Sequence, residues 1–144
     1  MPTAELKTTD QGVEQIPFKG IGLPTASYKY PKIKLEEDLI FDSVLTILLT
    51  KKGQRLFAPA FGSDLWKIMF QPADNATATM AEQYVWESLS LWEPRIKVLD
   101  VRSGISDSHL NLYIRYMIMT VGEAIGMQLQ IDANDFVLLR AGRA

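Results

Sequence analysis

The sequence predicts an α+β fold: three N-terminal helices packed on a C-terminal antiparallel sheet of at least three strands. Two observations predict it. Apolar residues recur at helical spacing up to Trp92 and alternate at strand spacing after Pro94, and the proline marks the change of period. Proline lacks a backbone N–H and disfavours the α conformation in the residue before it, so a helix arriving through Leu89 and Trp92 stops at about Glu93. A chain of 144 residues with 47% hydrophobic and 22% charged side chains is globular and long enough for one core. The expected organisation is a flexible N-terminal segment, 1–17, a single domain, 18–133, and a C-terminal tail, 134–144, that docks on the domain or on a neighbour.

Residues 1–17 are polar and aperiodic, which denies them a core of their own. Gly20-Ile21-Gly22 reads as a turn rather than a nucleotide loop, because no strand precedes it, Pro24 blocks a helix and the third glycine of the fingerprint is missing. Over residues 35–50, Ile40, Val44, Ile47 and Leu48 share one helix face, with Asp42, Ser43, Thr46 and Thr50 on another. Glu36, Glu37 and Asp38 suit the positive end of that helix's dipole, Lys51 and Lys52 suit the negative end, and Gly53 is placed as a left-handed stop. Ser63 can cap a short second helix over residues 64–70, which Pro72 ends and on which Trp66 and Phe70 share a face. A third helix spans 75–92, with Thr79 and Glu82 spaced as a capping box and Ala78, Ala81, Val85, Leu89 and Trp92 as its apolar stripe.

Beyond Pro94, residues 96–102 read as a strand, 103–108 as a turn and 109–120 as a long strand. In the long strand Leu110, Leu112, Ile114, Tyr116 and Ile118 form a core face, opposite Asn111, Tyr113, Arg115, Met117 and Met119. Gly122 and Gly126 bracket a linker. Met127, Leu129 and Ile131 then alternate with Gln128, Gln130 and Asp132 in a strand whose outer face carries no lysine or proline to blunt an edge. Such a strand pairs within the domain or accepts a strand from another chain.

Composition excludes several function classes. Net charge is −2, so there is no basic field for nucleic acid. The chain has no cysteine and a single histidine, His109, which leaves neither a thiolate nor a multi-histidine metal site. No cofactor is expected. The N-terminus has no apolar run of a secretory signal, and no stretch approaches the length of a membrane span. We therefore expect folding in the cytoplasm, followed by incorporation into any exported assembly.

An ordered set of motifs points further. Thr50 closes the first helix, then come Gly53-Gln54-Arg55, Pro59-Ala60-Phe61-Gly62-Ser63, Phe70-Gln71-Pro72 and, at the last helix end, Trp92-Glu93-Pro94-Arg95-Ile96. In this order, over about residues 18–120, the chain resembles the baseplate wedge family of contractile machines, the phage tail protein W and TssE group. The resemblance implies a non-enzymatic baseplate subunit that joins the wedge to the contractile sheath and templates the first sheath ring by strand addition. It implies wedge proteins and sheath subunits as partners, the inner tube or hub as further candidates, and six copies per particle. By position it makes Glu93, Pro94 and Arg95 the wedge contact and Met127, Gln128, Leu129, Gln130 and Ile131 the strand-exchange edge, the latter resting on alternation and chain order rather than on a motif. Gly53, Arg55, Pro59, Phe61 and Gly62 become a structural turn.

Some members of that family carry a lysozyme label, so a baseplate peptidoglycan hydrolase is the alternative. Its reaction needs two carboxylates across a cleft, one with a raised pKa. Glu82, Glu87 and Glu93 are the candidates, but Glu82 and Glu87 diverge by about 140° on a helix, and Arg95 beside Glu93 favours the ionised form. A Ser–His–Asp site would need His109 with Ser106, Asp107 and Ser108, a cluster that is ordinary turn chemistry and lacks a nucleophile elbow.

Overall fold

The computed structural model describes residues 19–21, 33–106, 109–131 and 136–143. The expectations for 1–17, Gly22, Pro24, Asp107, Ser108 and Asp132 lie outside these residues. The chain divides into two compact units, Met1–Asp42 and Ser43–Ala144. In the first, β1 (Lys19–Ile21) pairs antiparallel with β2 (Ile33–Leu35), a short ribbon the sequence pattern did not suggest. β2 runs straight into α1 (Glu36–Leu49), whose first turn carries the expected Glu36, Glu37 and Asp38. α1 ends in the second unit, and Ile40, Val44, Ile47 and Leu48 are all buried.

The second unit continues with a 3₁₀ helix (Leu65–Phe70), α2 (Asn75–Trp92), and four strands, β3 (Ile96–Ser106), β4 (His109–Ile118), β5 (Ala124–Ile131) and β6 (Phe136–Arg143). These strands form one antiparallel sheet in the order β3-β4-β5-β6. The class is α+β, but only two of the three expected helices are α. The six residues between Asp64 and Gln71 are too few for a stable α-helix and take the tighter 3₁₀ winding. At three residues per turn Trp66 and Phe70 no longer share a face: Trp66 is half-buried while Phe70 is exposed.

α2 has the expected bounds but a different start. Asp74 is its N-cap, with the carboxylate accepting from the Thr77 N–H at 2.7 Å, so the Thr79–Glu82 capping box does not form. Thr79 instead donates back to the Asn75 carbonyl, and Glu82 is drawn to the sheet. Ala78, Ala81, Val85 and Leu89 pack inward as α2 lies along β3, and the core is completed by Leu65 and Ile68 of the 3₁₀ helix. From the sheet come Ile96 and Val98, the five expected residues of β4, and Ile125, Met127, Leu129 and Ile131 of β5. The other face of β4 is open at Tyr113 and Arg115, with Asn111 its buried exception, and the strand ends at Ile118, before the exposed Met119.

Two strands are longer than their alternation suggested. β3 runs on to Ser106, because Ser103 to Ser106 pair in register with Leu112 to His109. β5 starts at Ala124, which puts Gly126 inside the strand, and the turn before it closes through Gly122, whose φ is +73°.

The sheet corrects the expected edge. β5 is hydrogen-bonded to β4 on one side and to β6 on the other, so Met127, Gln128, Leu129, Gln130 and Ile131 form an inner strand. The apolar tail residues 136–139 lie in the fourth strand. Among the described strands, β3 and β6 are the edges, and each carries an irregularity. The register shifts between Val98 and Asp100 leave Leu99 as an extra residue in β3, and the shift opposite Gln128/Leu129 leaves Leu139 extra in β6.

Candidate functional site

The residues of the ordered motifs come together where α1 and α2 end. α1 stops at Leu49, four residues before Gly53, and its last carbonyls are closed by the returning loop rather than by a glycine cap. The Ser63 hydroxyl donates to the Leu48 carbonyl at 2.6 Å, the Trp66 indole N–H to Leu49 at 2.9 Å, and the Ser63 N–H to Thr50 at 2.9 Å. Ser63 also accepts from the Leu65 N–H at 3.3 Å, so one side chain ends α1 and starts the 3₁₀ helix. Gly62 makes the approach possible. Its φ is +113°, and a Cβ there would sit 2.2 Å from the Thr50 carbonyl oxygen.

Between these points, residues 51–61 form a loop of successive turns. The Gly53 N–H donates to the Pro59 carbonyl at 2.7 Å, Gln54 and Lys51 bond to each other through N–H groups, a carbonyl and the Gln54 side chain, and Phe61 closes on Ala58. Gly53 is therefore the pivot of this loop, with φ +91°, rather than the stop of α1. The Arg55 guanidinium carbon lies 3.9 Å from the Phe61 ring centroid, and Phe61 meets Trp92 edge-on at 5.3 Å. Through Phe61 the Gly-x-Arg and Pro-x-Phe-Gly segments are stacked on the end of α2.

The next residue is Glu93, whose N–H closes on the Leu89 carbonyl as the helix stops. Its side chain is 2% exposed, while Arg95 is 29% exposed and holds it with two parallel hydrogen bonds, Nε to Oε1 at 2.6 Å and Nη2 to Oε2 at 2.7 Å. Burial alone would push the Glu93 carboxyl up, but the Arg95 guanidinium and a hydrogen bond from Ser43 of α1 hold it below the ordinary carboxylate range. The same pairing raises Arg95 against its own burial. The Arg95 carbonyl accepts from the Met119 N–H at 3.0 Å, which ties the corner to the far end of β4, and Pro94 is exposed at its apex. This is a buried ion pair bracing a bend, not the loose surface pair that Glu-Pro-Arg suggests in isolation.

A second charged group lies nearby. Lys52 reaches Asp64 at 2.7 Å and Glu87 at 3.7 Å, and Lys67 reaches Asp64 at 2.9 Å. Partial burial would raise Asp64, but its two lysine partners hold it below its ordinary value, and hydrogen bonding to Asp64 raises Lys52.

The three carboxylates weighed for hydrolysis are thus engaged in structural contacts. Glu82 accepts from both the N–H and the hydroxyl of Ser103, Glu87 faces Lys52 at an exposed position, and Glu93 is locked by Arg95. Glu93 is moreover held below the ordinary carboxylate range, the opposite of what a general acid needs. Among the described residues no group of acids and histidine is placed to hold a metal ion. The sequence reasoning missed Ser43, which no local pattern marks as a partner of Glu93. It also missed Leu56 and Phe57, which project 92% and 102% exposed from the loop tip; two adjacent apolar residues with no periodic partner were the available signal.

Two α-helices ending on a shared, stacked corner beside an antiparallel sheet, with Glu82, Glu87 and Glu93 held in contacts of the fold, define an α+β scaffold. The chain belongs to the baseplate wedge protein gp25 family, whose model matches residues 35–122. It is 39% identical over 62 residues to the baseplate wedge protein gp25 of Enterobacteria phage T4, a match covering 43% of this chain and 47% of that protein. The chain thus spans about half the length of that relative. Among solved structures it is similar to a protein described as a tail lysozyme from Geobacter sulfurreducens, with 28% identity, TM-score 0.56 and coverage of 70% of this chain and 88% of that one. Its fold is also that of a chain in the postcontracted pyocin R2 baseplate (TM-score 0.60, 24% identity, 70% and 98% covered) and of one in the anti-feeding prophage baseplate (TM-score 0.64, 16% identity, 72% and 86% covered).

Proposed function

We propose that this protein is a structural subunit of the baseplate in a contractile tail or tail-like particle, where it joins the wedge to the sheath. Membership of the gp25 family carries this reading, and the braced corner supports it: the helices, the loop and the sheet converge on Glu93-Pro94-Arg95, leaving Pro94 and part of Arg95 to solvent. Wedge proteins dock on this corner. The sheath side works by strand addition, with six copies around a tube each offering one edge, and the inner tube or hub as a further neighbour. Assembly takes place in the cytoplasm before the particle is released or used.

The edge offered is β6. The edge at β3 is occupied by Glu82, which reaches from α2 to take the Ser103 N–H at 2.7 Å and its hydroxyl at 2.6 Å, and it is broken by the extra residue Leu99. No described strand pairs with the outer side of β6. An incoming sheath strand adds there with main-chain hydrogen bonds.

Leu139→Pro tests the sheath role, because an edge bulge tolerates proline while losing a donor. Baseplates carrying this variant are expected to bind wedge proteins and grow no sheath in electron micrographs; sheaths of normal length would refute strand addition at β6. For the wedge side, Glu93→Gln combined with Arg95→Gln removes the charge while leaving a neutral pair in place. Loss of the subunit from baseplates with an unchanged Tm is the expected result. Normal incorporation would reduce the corner to a brace.

A further inference from the structure

The loop between α1 and the 3₁₀ helix holds a pair of apolar side chains in water by construction. Leu56 and Phe57 are 92% and 102% exposed, yet they sit in a closed series of turns: Gly53 to Pro59, Ala58 to Arg55 at 3.3 Å and Phe61 to Ala58 at 3.0 Å. Arg55 is pinned on Phe61, and Phe61 on Trp92, so the tip stands on the same stack that supports the Glu93-Pro94-Arg95 corner. Such a tip is preorganised, and binding through it costs little ordering. An aromatic ring held fully exposed gives up more than any other side chain here by staying in water, and aromatic anchors seated in pockets dominate interface energies.

The charge around the tip selects the kind of pocket. Lys51 at the start of the loop and Arg55 next to the apolar pair are both exposed, and neither meets a carboxylate among the described residues, whereas Lys52 pairs with Asp64 and Glu87 and Lys67 pairs with Asp64. An apolar knob with two uncompensated cations at its base complements an apolar pocket rimmed by carboxylates.

We infer that Leu56 and Phe57 form a knob that inserts into an acid-rimmed apolar pocket on a neighbouring baseplate subunit of a different kind from this chain. This deepens the proposed wedge contact and rests on it, since the tip is joined through Arg55, Phe61 and Trp92 to the helix end that carries Glu93-Pro94-Arg95. The ligand is a folded protein surface, with the ring as anchor and Lys51 and Arg55 as rim contacts.

The test uses the full chain carrying p-benzoylphenylalanine at position 57, assembled into particles and irradiated, with adducts identified by mass spectrometry. The expected product is a crosslink to an apolar residue with Asp or Glu neighbours on another baseplate protein. A labelled chain that is present in particles at normal stoichiometry but gives no adduct, or one only with a second copy of itself or with the tube, overturns the inference and leaves the baseplate role standing. Absence of the unmodified wild-type chain from purified particles overturns the baseplate role instead. In parallel, Phe57→Ala should lower incorporation about tenfold and Lys51→Glu about threefold, with Tm unchanged because both side chains are exposed. Incorporation at the wild-type level in Phe57→Ala would also overturn the knob.

Discussion

Glu93 and Arg95 show how burial changes what a motif means. In isolation they read as an exposed pair worth roughly 0 to 1 kcal/mol, but with Glu93 2% exposed, removing one partner leaves a buried carboxylate unmatched. Arg95→Ala should therefore cost about 3 kcal/mol, at the lower end for buried pairs because the guanidinium is partly solvated; urea unfolding measures it, and a loss within error of zero would contradict the buried pair. At the loop, Gly62 and Gly53 differ although both have positive φ. Alanine at 53 meets nothing within 4 Å and should cost only about 1 to 2 kcal/mol of backbone strain. Alanine at 62 must also displace the Thr50 carbonyl and should lower Tm well beyond that, with lost exchange protection at Ser63, whose N–H donates to that carbonyl.

At the scale of the element, sequence patterning located what periodicity and propensity control. The α2 bounds, the buried stripe of α1 and the core face of β4 all follow from residues at i, i+4 or i+2 spacing. What it misplaced depends on competition between partners distant in sequence. Glu82 looked like a capping residue for Thr79, yet Asp74 caps α2 and Glu82 goes to Ser103, 21 residues away. Gly53 looked like a helix stop because the sequence cannot show that Ser63 and Trp66 return to close α1. The edge was assigned to 127–131 because alternation identifies a strand but not its neighbours, and the apolar run 136–139 was the clue that another strand follows. The Glu82 contact carries its own prediction. Glu82→Ala frees an outward N–H on β3, so Ser103 exchange should quicken and the protein should associate beyond dimers at high concentration, as sedimentation would show; a variant that stops at dimers would mean that Leu99 alone protects this edge.

Across the whole molecule, the titrating groups set a stability plateau. Glu93, Asp64 and Asp74 all have lowered carboxyl pKa values, Asp74 through the Thr77 N–H and the other two because their partners outweigh burial. Their contributions are present above the ordinary carboxylate values of 3.8 and 4.5 and fade as pH falls through the lower folded values. Lys52 is raised, so its contribution is complete below its ordinary 10.5 and is lost only as pH rises beyond that. Stability should thus be flat at neutral pH and fall on the acid side below about pH 4, which urea midpoints across a pH series would show; the Glu93→Gln/Arg95→Gln variant should flatten much of the acid limb. The two unequal edges of the sheet have a further consequence, which concerns valence. Among the described strands, a sheet blocked by Glu82 at β3 and unpaired on the outer side of β6 can bond edge-to-edge only once. Two such molecules meeting through β6 close a two-fold pair with no free end, so self-association stops at dimers and fibres do not propagate.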